Sequence, residues 1–163
     1  MTLHRSENVD NQQILSTIVK AIINSKQEII FTVHPRTKKR LKEFDLYEKL
    51  ATSDKIQLLS SVGYFEMMEL MKKCSFIISD SGGIQEEATS PKIRKKVVII
   101  RKTTDRPEAV KSGYAKLAGI SYNKILNSIE FVSNNPLIKS KISPYGKGGS
   151  SKKILSIIKR IYS

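Results

Sequence analysis

At 163 residues with 39% hydrophobic composition, the chain can bury one domain-sized core but has little room for a second. No apolar run reaches membrane-spanning length and residues 1–8 carry no apolar leader, so the sequence reads as cytoplasmic, with no membrane partner. Cys74 stands alone, which excludes an internal disulfide; no cluster has metal-ligand spacing, and no cofactor is expected.

Helical and strand periods then alternate along the chain. Residues 11–15 open a helix whose apolar positions Ile14, Ile18, Ala21 and Ile22 fall at helical spacing, and 28–33 is a buried strand ended by His34-Pro35. A basic helix over 36–44 leads to a strand over 56–59. The next helix covers 64–73, with Phe65, Met68, Leu70 and Met71 as candidates for its inner face. A strand over 76–79, a helix over 84–89 and a strand over 97–100 follow. Helices over 107–112 and 123–132 flank a short strand at 115–117, and a last helix covers 152–161. Continuously apolar strands separated by amphipathic helices indicate an α/β fold: a Rossmann-like parallel sheet with helices on both faces, as one domain over 1–163. Ligands of such sheets bind at the C-terminal strand edge. His4, His34-Pro35, Ser60-Ser61, the stretch 79–83 and the stretch 101–106 all fall there. Only three residues precede His4, so the chain reads as starting inside its own first strand.

The formal charge of +14 raises the question of a polyanion partner. The basic residues are scattered over many segments (Lys38-Lys39-Arg40, Lys72-Lys73, 92–96, Lys152-Lys153) rather than gathered with aromatics. The reading is therefore a solvated basic surface with no specific nucleic-acid partner.

The most specific stretch is SDSGGIQEEA, 79–88. A strand end, a turn through Ser81-Gly82-Gly83 and a helix start would offer unobstructed backbone N–H groups to a phosphate or diphosphate. The same residues also suit a plain strand-to-helix turn capped by Ser81, with acids complementing the helix dipole. Glu87 lies about a turn beyond the glycines, where a carboxylate can accept from paired ribose hydroxyls. Arg106, before Pro107 at a helix start, is either a bidentate anion ligand or a surface arginine. His4 and His34 are open between acid–base or phosphate-donor roles and structural ones.

Together these motifs resemble the C-terminal domain of the non-hydrolysing UDP-N-acetylglucosamine 2-epimerases. The stretches that carry the resemblance are Thr2-Leu3-His4-Arg5 with Glu7-Asn8, His34-Pro35-Arg36, SDSGGIQEEA, Thr103-Thr104-Asp105-Arg106-Pro107-Glu108-Ala109, and Pro144-Tyr145-Gly146 with Lys147-Gly148-Gly149. The resemblance implies the C-terminal domain of a two-domain glycosyltransferase-B-type fold whose active site lies between the halves. It implies UDP and UDP-N-acetylglucosamine as ligands, with Ser81, Gly82 and Gly83 on the diphosphate, Glu87 on the ribose and Arg106 on the nucleotide sugar. It further implies uracil held by 62–67, from Val62 to Met67, where Met67 replaces a frequent aromatic. His4 matches the family's active-site histidine, and Arg5 and His34 match positions that bind a second, regulatory substrate molecule in some members. The family's essential carboxylates belong to an N-terminal half that this chain lacks, so the expected partner is that half or a second copy. The chain by itself is expected to be catalytically incomplete. The alternatives are a non-catalytic nucleotide-sugar-binding protein and a glycosyltransferase donor domain. The segment 91–96 carries two extra residues in place of the family's usual Leu-Gly-Lys-Pro turn.

Overall fold

The computed structural model describes residues 1–138, 142–146 and 148–162. Five strands carry the sheet: β1 (Ile29–Val33), β2 (Ile56–Ser60), β3 (Ile77–Ser79), β4 (Val97–Ile99) and β5 (Ala115–Leu117). β1 pairs with β2, and β3 pairs with β4 and β4 with β5, all parallel. Residues 1–2 join these two groups. The Met1 amino group donates to the Ile30 carbonyl and the Thr32 N–H to the Met1 carbonyl, which is the parallel ladder pattern. On the other side Thr2 bridges Ser79 in parallel and donates to the Ile78 carbonyl at 3.0 Å. The order is therefore β2, β1, residues 1–2, β3, β4, β5, and the loops after each of these segments open at one edge.

The helices are α1 (Ser6–Val9), α2 (Gln12–Asn24), α3 (Pro35–Glu43), α4 (Tyr47–Ala51), α5 (Tyr64–Lys73), α6 (Gly82–Ala88), α7 (Pro107–Lys111), α8 (Tyr122–Asn134) and α9 (Ser150–Tyr162). Alternation along the strands divides the core in two. Ile78, Val98 and Ile100 pack with Leu15, Ile18 and Ile22 of α2 and Ile125 and Ile129 of α8. Ile77, Val97 and Ile99 pack with Met71 of α5, Ile84 and Ala88 of α6 and Ala109 of α7. Side chains of period two in strands thus feed two helical layers. The expected α/β, Rossmann-like parallel sheet with helices on both faces is borne out.

Several local expectations change. α1 and α4 were not expected from periodicity; α4 is a single turn held by Leu50, which is fully buried. Phe65 does not line the inner face of α5, since it is 82% exposed; the buried contact is Met71, with Met67 and Met68 packed partly against the second core. α6 begins at Gly82 rather than at 84, because Ser81 is its N-cap and its hydroxyl accepts from the Ile84 N–H at 3.4 Å. In 91–96 Ile93 is buried in the second core and Arg94 takes a left-handed conformation (φ 49°). Lys147, noted above in a motif, lies outside the described residues.

α2 illustrates local encoding that can be measured directly. The Asn11 side chain accepts from the Ile14 N–H at 3.0 Å, satisfying a donor that the first helical turn leaves open. Asn11→Ala is expected to lower folding stability by about 1 kcal/mol. Urea denaturation monitored by circular dichroism should show the midpoint fall with an unchanged slope.

Candidate functional site

Every strand is short and ends at the same edge, so the loops after it gather there. Residues 1–2 lead into His4 and Arg5, β1 into His34, β2 into Ser61, β3 into Asp80 and Ser81, and β4 into Arg101. Asp80 is the centre of this edge and is completely buried. Its carboxylate accepts from the His4 N–H at 3.1 Å, the Arg5 N–H at 3.0 Å and the Asn8 side-chain amide at 3.1 Å. Asn8, also fully buried, donates at 2.7 Å to the Ile100 carbonyl as well. The His4 Nδ1 lies 3.3 Å from Asp80 Oδ1. Asp80 therefore fastens the segment after residues 1–2 to the ends of β3 and β4. It faces inward, away from any ligand at the glycines.

The remaining acids divide by partner. Asp105 accepts from the Arg101 guanidinium at 2.9 Å and lies 3.7 Å from that of Arg5. Arg101 also reaches Glu7 at 3.1 Å. Glu86 pairs with the Arg106 Nε, and this carboxylate holds the guanidinium firmly in its charged form. Arg106 is further tied by its N–H to the Thr104 hydroxyl (3.1 Å) and by a guanidinium nitrogen to the Asp105 carbonyl (2.9 Å). Thr104 bonds Gln85 at 2.7 Å, and Gln85 donates to the Ser81 carbonyl at 3.1 Å, so the two loops are cross-braced. Glu87 differs. It sits half-buried on α6, and among the described residues its carboxylate has no hydrogen-bond or ion-pair partner. Burial pushes its pKa above the ordinary carboxylate range, and the neighbouring Glu86 charge adds to the shift.

Gly82 and Gly83 occupy the first two positions of α6, whose N–H groups have no acceptor within the helix. A Cβ at Gly82 would lie 3.4 Å from Asp105 Oδ1, so glycine there lets the 101–106 loop close onto the helix start; Gly83 has more space.

The structure brings His4, Arg5, Ser81 and Arg106 into one bonded network, with Gly82, Gly83 and Glu87 on the adjoining helix α6. His34 joins through its ring, 5.9 Å from that of His4. It is also the N-cap of α3, its Nδ1 accepting from the Arg36 N–H at 3.2 Å. Val62 and Met67 stand apart at the end of β2 and the start of α5; Met67 is partly used by the second core. A broad depression of about 750 Å³ beside α2, lined by Asp10, Gln13 and Lys20 among others, includes none of these residues. Sequence reasoning missed Asp80 as the hub and Glu86 as the partner of Arg106. The only signal was the clustering of acids around a glycine pair in a basic chain.

Known proteins similar to this chain fall in one family. A family model described as UDP-N-acetylglucosamine 2-epimerase matches residues 1–159. A UDP-N-acetylglucosamine 2-epimerase of Methanocaldococcus jannaschii is 41% identical over 162 residues, covering 97% of this chain and 43% of the relative. One from Campylobacter jejuni is 36% identical over 167 residues, covering 97% and 42%. Among solved structures, the Methanocaldococcus jannaschii enzyme in complex with UDP-GlcNAc and UDP superposes with a TM-score of 0.85 at 40% identity, covering 98% of this chain and 44% of that one. A Staphylococcus aureus protein solved with UDP gives 0.80 at 28% identity, covering 99% and 44%. The chain thus spans less than half the length of the relatives it matches. Among the described residues, no helix is long and apolar enough to cross a membrane.

Proposed function

The chain belongs to the UDP-N-acetylglucosamine 2-epimerase family, and from that premise we propose that it is the UDP-binding half of such an epimerase. The observation that carries the reading is the division of labour among the acids. Asp80, Asp105 and Glu86 are each committed to donors of the protein, whereas Glu87 is left with a free carboxylate one turn beyond two unclaimed helical N–H groups. In this reading the Gly82 and Gly83 N–H groups and the Ser81 hydroxyl meet the diphosphate, and Glu87 accepts from the ribose hydroxyls. Arg106, already fixed by Glu86 and Asp105, turns its remaining donors to the nucleotide sugar. Val62 and Met67 border the uracil. The reaction is loss of UDP from UDP-N-acetylglucosamine to give a 2-acetamidoglucal, followed by its return with C2 inverted to give UDP-N-acetylmannosamine. This half stabilises the departing diphosphate, where charge develops, with donors already in place. His4 stands at the open edge as the active-site histidine, with Arg5 and His34 beside it as contacts to a second substrate molecule.

In this reading the carboxylates that move the C2 proton come from the half of the relatives that residues 1–163 do not span, paired with this one. α9 supports such pairing: Ile154, Leu155, Ile158 and Ile161 repeat at helical spacing, yet none of its described residues is buried.

Titration calorimetry tests the site. UDP is expected to bind at least about tenfold more tightly than UMP, since the second phosphate adds charge-assisted hydrogen bonds to backbone donors. Equal affinities would remove the diphosphate role of residues 81–83.

A further inference from the structure

We propose that Asp80 is the positioning residue for His4: it holds the imidazole with its proton on Nδ1 and leaves Nε2 as the lone-pair nitrogen at the open edge. The inference rests on the reading of His4 as the active-site histidine. The geometry distinguishes this from a purely structural role. Three N–H donors, from His4, Arg5 and Asn8, already converge on the two oxygens of Asp80. Backbone anchoring alone needs nothing more. Yet the ring of His4 is also turned so that Nδ1 lies 3.3 Å from Oδ1, the oxygen that receives the His4 backbone N–H. An ionised carboxylate can only accept, and its negative charge 3.3 Å away favours the proton on the ring nitrogen nearer to it. In a neutral imidazole the other nitrogen is then the acceptor, and which one faces the substrate decides whether the ring can take a proton or only give one. Acids that fix histidine tautomers in this way act through the ring without touching substrate.

The ring of His4 is open to solvent in part, which that task needs. His4 is 37% exposed at its side chain, while Asp80 is wholly inaccessible and cannot itself reach a ligand. The neighbouring His34 has its own Nδ1 occupied by the Arg36 N–H, so it does not compete for Asp80. Asp80 is held from behind by Asn8, whose amide also grips the Ile100 carbonyl. The carboxylate cannot swing away without breaking a buried bridge between two chain segments.

The test is nitrogen-15 NMR of the ligand-free chain at a pH where His4 is neutral. The expected result is a protonated Nδ1 and an unprotonated Nε2 for His4. A dominant Nε2–H form, which an unconstrained imidazole favours, would overturn the proposal. Asp80→Ala supplies the second arm. If it folds, His4 is expected to revert mostly to the Nε2–H form, and retention of Nδ1–H would also overturn the proposal. If the variant does not fold, the wild-type spectrum decides alone. Neither arm requires UDP, so a failure of nucleotide binding and a failure of this inference are read separately.

Discussion

The chain by itself is expected to leave UDP-N-acetylglucosamine unepimerised, and mixing it with the separately expressed N-terminal half of the Methanocaldococcus jannaschii relative is expected to restore turnover. The reason lies in where its carboxylates are. Moving the C2 proton requires acid and base groups at the sugar. Of the carboxylates around the glycine turn, Asp80 is sealed in the interior, Asp105 and Glu86 are held by arginines, and Glu87 is the ribose acceptor of the proposed reading. Each positioned acid or base contributes roughly 10²–10⁴-fold, so their absence leaves a rate below ordinary detection. In the restored mixture, His4→Ala is expected to lower turnover by a factor of similar size. The assay is formation of UDP-N-acetylmannosamine, followed by chromatography. Clear epimerisation by this chain alone would require a base among residues assigned other work, and the proposed division of roles would fall.

The second large effect is expected at Glu87. Glu87→Ala should weaken UDP by about 1.5–3 kcal/mol, the range for a hydrogen bond to a charged acceptor, which corresponds to roughly 10–150-fold in Kd. The pH dependence carries a further sign. Burial, reinforced by Glu86, raises the pKa of Glu87, so the folded chain takes up this proton more readily than an exposed carboxylate would. Ionised Glu87 therefore costs stability at neutral pH, and that cost is relieved as pH falls through its raised pKa. For binding the direction is opposite, because only the carboxylate accepts two hydroxyls. The advantage of wild type over Glu87→Ala should shrink on acidification, beginning above the usual carboxylate range. Comparing the two proteins at each pH cancels the titration of the nucleotide's own phosphates. A constant difference across the range would mean that Glu87 does not meet the ribose as a carboxylate.

Much of this was legible before any coordinates. Apolar runs such as 29–33 and 97–99 are continuous because parallel strands are covered on both sides, and the helical period of Leu15, Ile18 and Ile22 marked the face that packs on them. The common edge followed from strand direction alone, which is why His4, His34, Ser81 and Arg106 could be placed together. What escaped was set by tertiary contacts. Phe65 satisfies the helical period of α5 but faces outward, because the inner row runs through Met67 and Met71. α4 is too short to show a period. The helix start at Gly82 was missed because glycine is a poor helix former, yet at the first helical positions it costs little and admits Asp105. Asp80 was visible only as an acid in an odd place, since a hydrogen-bond hub linking residues 4, 5 and 8 to 80 and 100 leaves no trace in local pattern.

The ion pairs at the sheet edge also set how the molecule sorts one anion from another. Although the chain carries a formal charge of +14, its arginines at this edge are matched or outnumbered locally: Arg5, Arg101 and Arg106 stand among Glu7, Asp80, Glu86, Glu87 and Asp105. The excess positive charge therefore resides elsewhere on the surface, and its field draws long polyanions toward regions remote from the glycine turn. That attraction is diffuse and fades with ionic strength, over a screening length of roughly 8 Å in physiological salt. In the proposed reading, recognition at the edge relies on a few fixed donors within bonding distance, where added salt intervenes far less. A short anion with the right spacing can satisfy those donors, whereas a long polyanion gains little at an edge whose arginines are already paired with carboxylates.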